Sequence, residues 1–192
     1  YPRLVGETGG KDFVFACPDA DPVPLAVALV RGSFEYQGQK CSAASRAYLP
    51  ASLWPKVKGM MGEMLAKIKI GDVADFTNYL GAVIDEASFK NISSYIDFAR
   101  NSSEAKIVFG GTCDKSKGWF VQPTVIETTN PKFKLMAEEI FGPVLTVYVY
   151  DDAKLDEAVA LVDTTSPYAL TGAVFGKDRA LLDSVSGRLR YA

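Results

Sequence analysis

A chain of 192 residues is long enough for one domain with a real core, and 48% hydrophobic residues fit an ordinary globular protein. Lysine and arginine number 21 against 23 acidic residues, a net charge of −2 with no long basic run, so nothing recommends nucleic acid or a membrane surface as partner. Histidine is absent and the only thiols are Cys17, Cys41 and Cys113, which excludes Cys–His pairs and Ser–His–Asp triads and leaves no ligand set for zinc.

An odd number of thiols with no CxxC pair reads as a reducing, intracellular compartment rather than a disulfide framework. No apolar run approaches the roughly 18 residues of a membrane span. The chain opens at Tyr1 rather than at methionine and closes on "GRLRYA". It is expected to be a domain taken from a longer protein, with any targeting peptide outside it.

Strand and helix patterns alternate along the chain. "DFVFA" (12–16) predicts a strand, closed by the turn residues of "CPDADP", and Leu25, Leu29, Ser33 and Tyr36 then recur at near-helical spacing. "SRAYLP" (45–50) predicts a strand stopped by Pro50. From Ser52, the positions Leu53, Val57, Met60, Met64 and Ile68 mark one face of a helix ending near Gly71. A helix from Asp85 buries Phe89, Ile92, Ile96 and Ala99, and "KIVFGG" follows as strand and loop. "GWFVQPTVIE" and "PVLTVYVY" predict strands, the latter apolar enough to be covered on both faces. A helix over 154–163, the strand "ALTGAVFG" and a last helix over 177–190 complete the chain. The alternation predicts an α/β fold, an open and mostly parallel sheet with helices on both faces, forming a single domain over 1–192.

With no imidazole, chemistry falls to carboxylates, lysines and thiols. Cys17 sits between an apolar strand and a proline, and Cys113 lies in a loop after "FGGT"; both read as small fillers or incidental surface thiols. Cys41, in "FEYQGQKCSAASR", is surrounded by small or polar residues, a poor setting for a core thiol and a good one for a nucleophile. Lys40 beside it favours the reactive thiolate. In "VGETGGKDF", Glu7 precedes a glycine pair that lets backbone approach closely, and a carboxylate there can activate water without histidine.

Together "ETGGK", "GQKCSAASR" and "EEIFGPVL" (138–145), in that order, resemble the signature segments of the aldehyde dehydrogenase superfamily. "YPRLVGETGGKDF", "FEYQGQKCSAASR", "GWFVQPTVIE" and "YALTGAVF" resemble most closely its branch acting on L-glutamate γ-semialdehyde, and the resemblance spans essentially the whole chain. It implies the thiol-bearing catalytic domain of an NAD-dependent enzyme of proline breakdown. Cys41 would be the nucleophile that forms a thiohemiacetal and then a thioester, and Glu7 the base that activates the hydrolytic water. The Cys41 backbone N–H would serve the oxyanion, with an asparagine outside this chain as the second donor. Glu139 would hold the nicotinamide ribose and Phe141 would pack beside the nicotinamide. Lys40 and Ser42 would approach the substrate carboxylate. The dinucleotide domain, the substrate-anchoring loop and an oligomerisation hairpin would lie outside the chain, so the 192 residues alone would not turn over.

The expected partners are a small aldehyde and further copies of the full-length protein, with no nucleic acid, membrane or metal. The expected compartment is the cytoplasm in a bacterium or the mitochondrial matrix in a eukaryote. Competing readings are another aldehyde dehydrogenase, a thioester-forming reductase of the same superfamily, a non-catalytic scaffold, and a thiol redox switch. The reductase has no use for a hydrolytic Glu7 and is separated by an assay with acyl phosphate or acyl-CoA. A scaffold has no use for Cys41, Glu7 and Glu139 together, and a switch wants a resolving cysteine nearby.

Overall fold

A computed structural model describes residues 1–6 and 8–190. The first strand, β1 (Asp12–Ala16), leads into helix α1 (Pro22–Phe34) through an Asp21 cap, whose carboxylate accepts from the Val23 N–H at 3.0 Å, with Pro22 placed where its missing N–H costs nothing. Strand β2 (Ala44–Pro50) and helix α2 (Trp54–Leu65) follow. Helix α3 (Glu86–Arg100) is capped by Asp85, which accepts from Ser88 N–H at 2.7 Å. Strands β3 (Ala105–Phe109), β4 (Cys113–Asp114), β5 (Phe120–Val121) and β6 (Thr124–Thr128) come next, then the single turn α4 (Lys134–Ala137) and strand β7 (Val144–Tyr150). Helix α5 (Leu155–Thr165), strand β8 (Gly172–Phe175) and helix α6 (Arg179–Ser186) end the described chain.

Six strands form one sheet in the order β3-β6-β7-β2-β1-β8, parallel throughout except for β3 against β6. Strand β1 shows why the sheet must be covered twice: Phe13 and Phe15 point to one face, Val14 and Ala16 to the other, and all four are buried. The Phe13 and Phe15 face packs against α3, α5 and α6. The Val14 and Ala16 face packs against α1 and α2. The mostly parallel sheet with helices on both faces is the predicted architecture. No helix among the described residues is long and apolar enough to cross a membrane.

Several element boundaries differ from the pattern. Helix α2 stops at Leu65 rather than near Gly71, because Ile70 leaves the helical face to bridge Leu80. Tyr36 does not continue the buried face of α1; the helix ends at Phe34, which is buried, while Tyr36 is 65% exposed. "GWFVQPTVIE" is two strands broken at Gln122 and Pro123, with β5 pairing to β4 in a separate two-stranded sheet. The last helix is 179–186, shorter than 177–190, since Asp178 caps its start and Gly187 its end. Helix α4 has no periodicity long enough to announce it.

One consequence of the parallel strands fixes the site. The segments entering β1, β2 and β7, three adjacent parallel strands, all arrive at the same end of the sheet, so residues near 10, 41 and 140, distant in sequence, meet there.

Candidate functional site

Cys41 sits on the turn that enters β2, closed by the Ala43 N–H donating to the Lys40 carbonyl at 3.1 Å, and its side chain is exposed. The backbone before it is unusual. Tyr36, Gln37 and Gly38 have φ of 55°, 58° and 64°, three successive left-handed residues, a conformation that costs roughly 1–2 kcal/mol for each residue bearing a Cβ. At Gly38 a side chain is impossible: a Cβ would lie 2.3 Å from the Gly142 carbonyl oxygen and 2.8 Å from that of Ser33. The Cys41 turn is thereby pressed against the chain entering β7.

Gly10 makes the second close approach. A Cβ there would stand 2.2 Å from the Cys41 carbonyl oxygen, so the glycine backbone lies directly on the Cys41 backbone. Its N–H donates to Glu139 Oε1 at 2.8 Å. One residue of the glycine loop therefore touches the thiol-bearing turn and the carboxylate at once. Lys40, Cys41, Glu139 and Phe141 line a common shallow depression around Gly10. Phe141, with φ of 56°, holds its ring outward and is 43% exposed.

The remaining expected residues separate. Lys40 Nζ pairs with Glu35 at 3.5 Å, both half-exposed. Ser42 is exposed on the other side of the turn, in a depression shared with Asp12 and Thr171. The structure thus sets Lys40 on the Glu139 and Phe141 side and Ser42 toward β8. Glu7 lies outside the described residues. Cys17 is fully buried and its thiol is pushed up to about 11 by burial and then by Asp19; burial also raises Cys113. Neither shares the Cys41 depression.

The pattern of residue types gave no sign of a buried charged layer beneath the site. Lys11, Asp12 and Arg46 are all buried. Arg46 Nε donates to the Lys11 carbonyl at 2.9 Å, and Nη1 donates to Tyr48 Oη and to the Val162 carbonyl, each at 3.0 Å. Asp12 Oδ1 accepts from the Leu170 and Thr171 N–H groups, fastening the chain that enters β8 to the start of β1. Burial raises the Asp12 carboxyl, opposed by those two N–H groups and by Arg46. Lys11 Nζ has no hydrogen-bond partner among the described residues, and its pKa is lowered to about 7, by burial first and by Arg46 second, against the pull of Glu139 and Glu138. The one available signal was position: a lysine and an aspartate at the mouth of an apolar central strand have nowhere exposed to go.

A cavity of about 790 Å³ lies between residues 70–73 and the β4–β5 hairpin, away from Cys41, and none of the three cysteines lines it.

The whole chain, residues 1–192, matches the family model described as the aldehyde dehydrogenase family. It is 51% identical over its full length to the mitochondrial delta-1-pyrroline-5-carboxylate dehydrogenase of Dictyostelium discoideum, covering 34% of that protein, and 48% identical to the human protein of the same name, again covering 34%. The crystal structure of the Mycobacterium tuberculosis delta-pyrroline-5-carboxylate dehydrogenase bound with NAD superposes with a TM-score of 0.92 at 44% identity, over 100% of this chain and 35% of that one. The chain therefore spans about a third of the length of the relatives it matches.

Proposed function

The chain belongs to the aldehyde dehydrogenase family, and on that premise we propose that it is the thiol-bearing part of an enzyme oxidising L-glutamate γ-semialdehyde to L-glutamate with NAD. The observation that carries this reading is Gly10, whose backbone rests on the Cys41 carbonyl and hydrogen-bonds Glu139. Relatives at about half identity named for this substrate support its choice, and a coverage of 34% supports the single-domain reading, with the dinucleotide domain and substrate-anchoring loop supplied by the rest of a longer chain. Assembly into homo-oligomers belongs to the same proposal, as does a mitochondrial matrix location in a eukaryote, for which the relatives' names speak, or a cytoplasmic one in a bacterium.

The residues suit the nicotinamide end of NAD. Glu139 has Oε1 fixed by Gly10, leaving Oε2 without a hydrogen bond among the described residues, a ready acceptor for ribose hydroxyls. The exposed Phe141 ring beside it offers a flat apolar face.

In the proposed reaction the Cys41 thiolate adds to the aldehyde carbon, and the carbonyl π pair moves to oxygen as an oxyanion facing the Cys41 backbone N–H. NAD, when bound, supplies the two-electron acceptor that turns this adduct into a thioester. Glu7 takes a proton from water, which attacks the thioester carbonyl, and Cys41 departs as thiolate with glutamate released. Ser42 holds the substrate carboxylate from the β8 side of the turn, and Lys40, across the turn and paired with Glu35, adds only the longer-range pull of its charge.

The test uses the full-length protein. Cys41→Ala should abolish reduced-cofactor formation, whereas Glu7→Gln should keep a first-turnover burst and lose steady-state turnover. Activity in Cys41→Ala would end the reading, and equal loss of burst and steady state would move Glu7 from hydrolysis to thiol activation.

A further inference from the structure

Between Gly71 and Ile84 the chain forms neither helix nor strand beyond the Ile70–Leu80 bridge, yet it is tightly folded: Gly71 N–H donates to the Leu80 carbonyl at 3.0 Å and Val83 N–H to the Trp119 carbonyl at 2.8 Å. This compact loop forms one wall of a cleft of about 430 Å³ whose other wall carries Tyr36, Gln37, Gln39 and Phe141. Two glutamines cross from the nucleophile turn to the loop. Gln39 Oε1 accepts from the Ile84 N–H at 2.9 Å. The Gln37 amide, its oxygen and nitrogen assigned from the donors and acceptors they face, sets its nitrogen on the Tyr36 carbonyl at 3.0 Å and its oxygen toward the Gly81 N–H at 2.6 Å. Each thus satisfies one backbone donor of a loop that has no ladder of its own.

The left-handed turn explains how both side chains reach the same way. Successive residues of an extended strand point to opposite faces, but Tyr36, Gln37 and Gly38 all lie in the left-handed region, and the coil they make delivers Gln37 and Gln39 to one loop. The strain held in that turn therefore has a structural product beyond presenting Cys41.

We propose that Gln37 and Gln39 are positioning residues, a double latch that fixes the 71–84 loop as a wall of the cofactor cleft in register with the Cys41 turn. The proposal rests on the reading of Cys41 and Phe141 given above. Neither glutamine touches the reacting atoms; each acts through the loop it holds. Opening the latch frees the wall on one side only, while the sheet, the core and the Gly10 contact stay as they are.

The test compares Gln39→Met, which keeps length and loses the acceptor, with Gln39→Glu, which keeps an acceptor for Ile84, both in the full-length protein. Peptide-resolved hydrogen exchange over residues 78–86 and NAD affinity by calorimetry are the readouts, with KM for NAD and kcat measured beside them. For Gln39→Met, faster exchange in that peptide and a two- to tenfold weaker NAD affinity, roughly the worth of one backbone hydrogen bond, are expected, with KM for NAD rising more than kcat falls. Gln39→Glu should restore both. Faster exchange with unchanged affinity would make the latch merely structural, and no change in either would remove it; each outcome overturns the proposal. Should Gln39→Met fail to fold, Gln37→Leu opens the Gly81 contact alone and is read the same way. Loss of NAD binding or persistence of activity in Cys41→Ala would mark failure of the underlying reading instead, since no latch variant bears on that result.

Discussion

Lys11 shows how much a single residue under the site is asked to bear. It is fully buried, its ammonium has no hydrogen-bond partner among the described residues, and Arg46 lies close enough to push its pKa down further. Its folded value of about 7 is below the ordinary 10.5, so below pH 7 the native state carries the full cost of a buried charge. As pH rises through 7 the folded protein sheds this proton while the unfolded chain keeps it up to about 10.5. This group therefore makes stability increase over that window. Lys11→Met should stabilise the protein at pH 6 by about 2 kcal/mol or more and flatten the rise toward pH 9, as read from urea unfolding at the two values. A Met variant less stable at pH 6 would show that Lys11 has a partner. At this scale the sequence singled out Cys41 from its small, polar neighbours and Glu139 and Phe141 from the resemblance of "EEIFGPVL" to a family segment, and the fold brings these three to one depression. Lys11 and Arg46 were not legible in it, because composition shows charges without showing what the fold lays over them.

At the scale of elements, the glycine loop is the piece that joins the site. Gly10→Ala would set a Cβ 2.2 Å from the Cys41 carbonyl oxygen, and since that atom is backbone, the β2 entry must shift. The expected cost is about 1–3 kcal/mol of stability, and iodoacetamide should alkylate Cys41 at a changed rate as its turn moves. An unchanged rate would mean that the turn absorbs the methyl without displacing the thiol. Strands β1, β2 and β7 were readable from their apolar runs and helices α1, α3 and α5 from their periodicity, because these signals are repeated over whole elements. The early end of α2 and the break before Thr124 were not, since each turns on a tertiary contact, the Ile70–Leu80 bridge in one case and the pairing of β5 with β4 in the other. Left-handed backbone at Tyr36 and Gln37 was equally hidden; only Gly38 among the three advertises it.

For the whole molecule, the parallel sheet gathers three chain entries at one end of its central strands, and Gly10, Cys41 and Glu139, distant in sequence, share a depression there. Antiparallel β3 at one side and short β8 at the other are the edge strands of the sheet among the described residues. The account stands or falls on whether Cys41 carries the acyl group. Full-length Glu7→Gln protein, mixed with L-glutamate γ-semialdehyde and NAD and quenched in acid after the burst, should yield a peptide spanning Cys41 that bears the glutamyl acyl group in amounts matching the reduced cofactor formed, and mass spectrometry reads this directly. Reduced cofactor formed with Cys41 unmodified, or the acyl group found on Cys113 or Cys17, would contradict it.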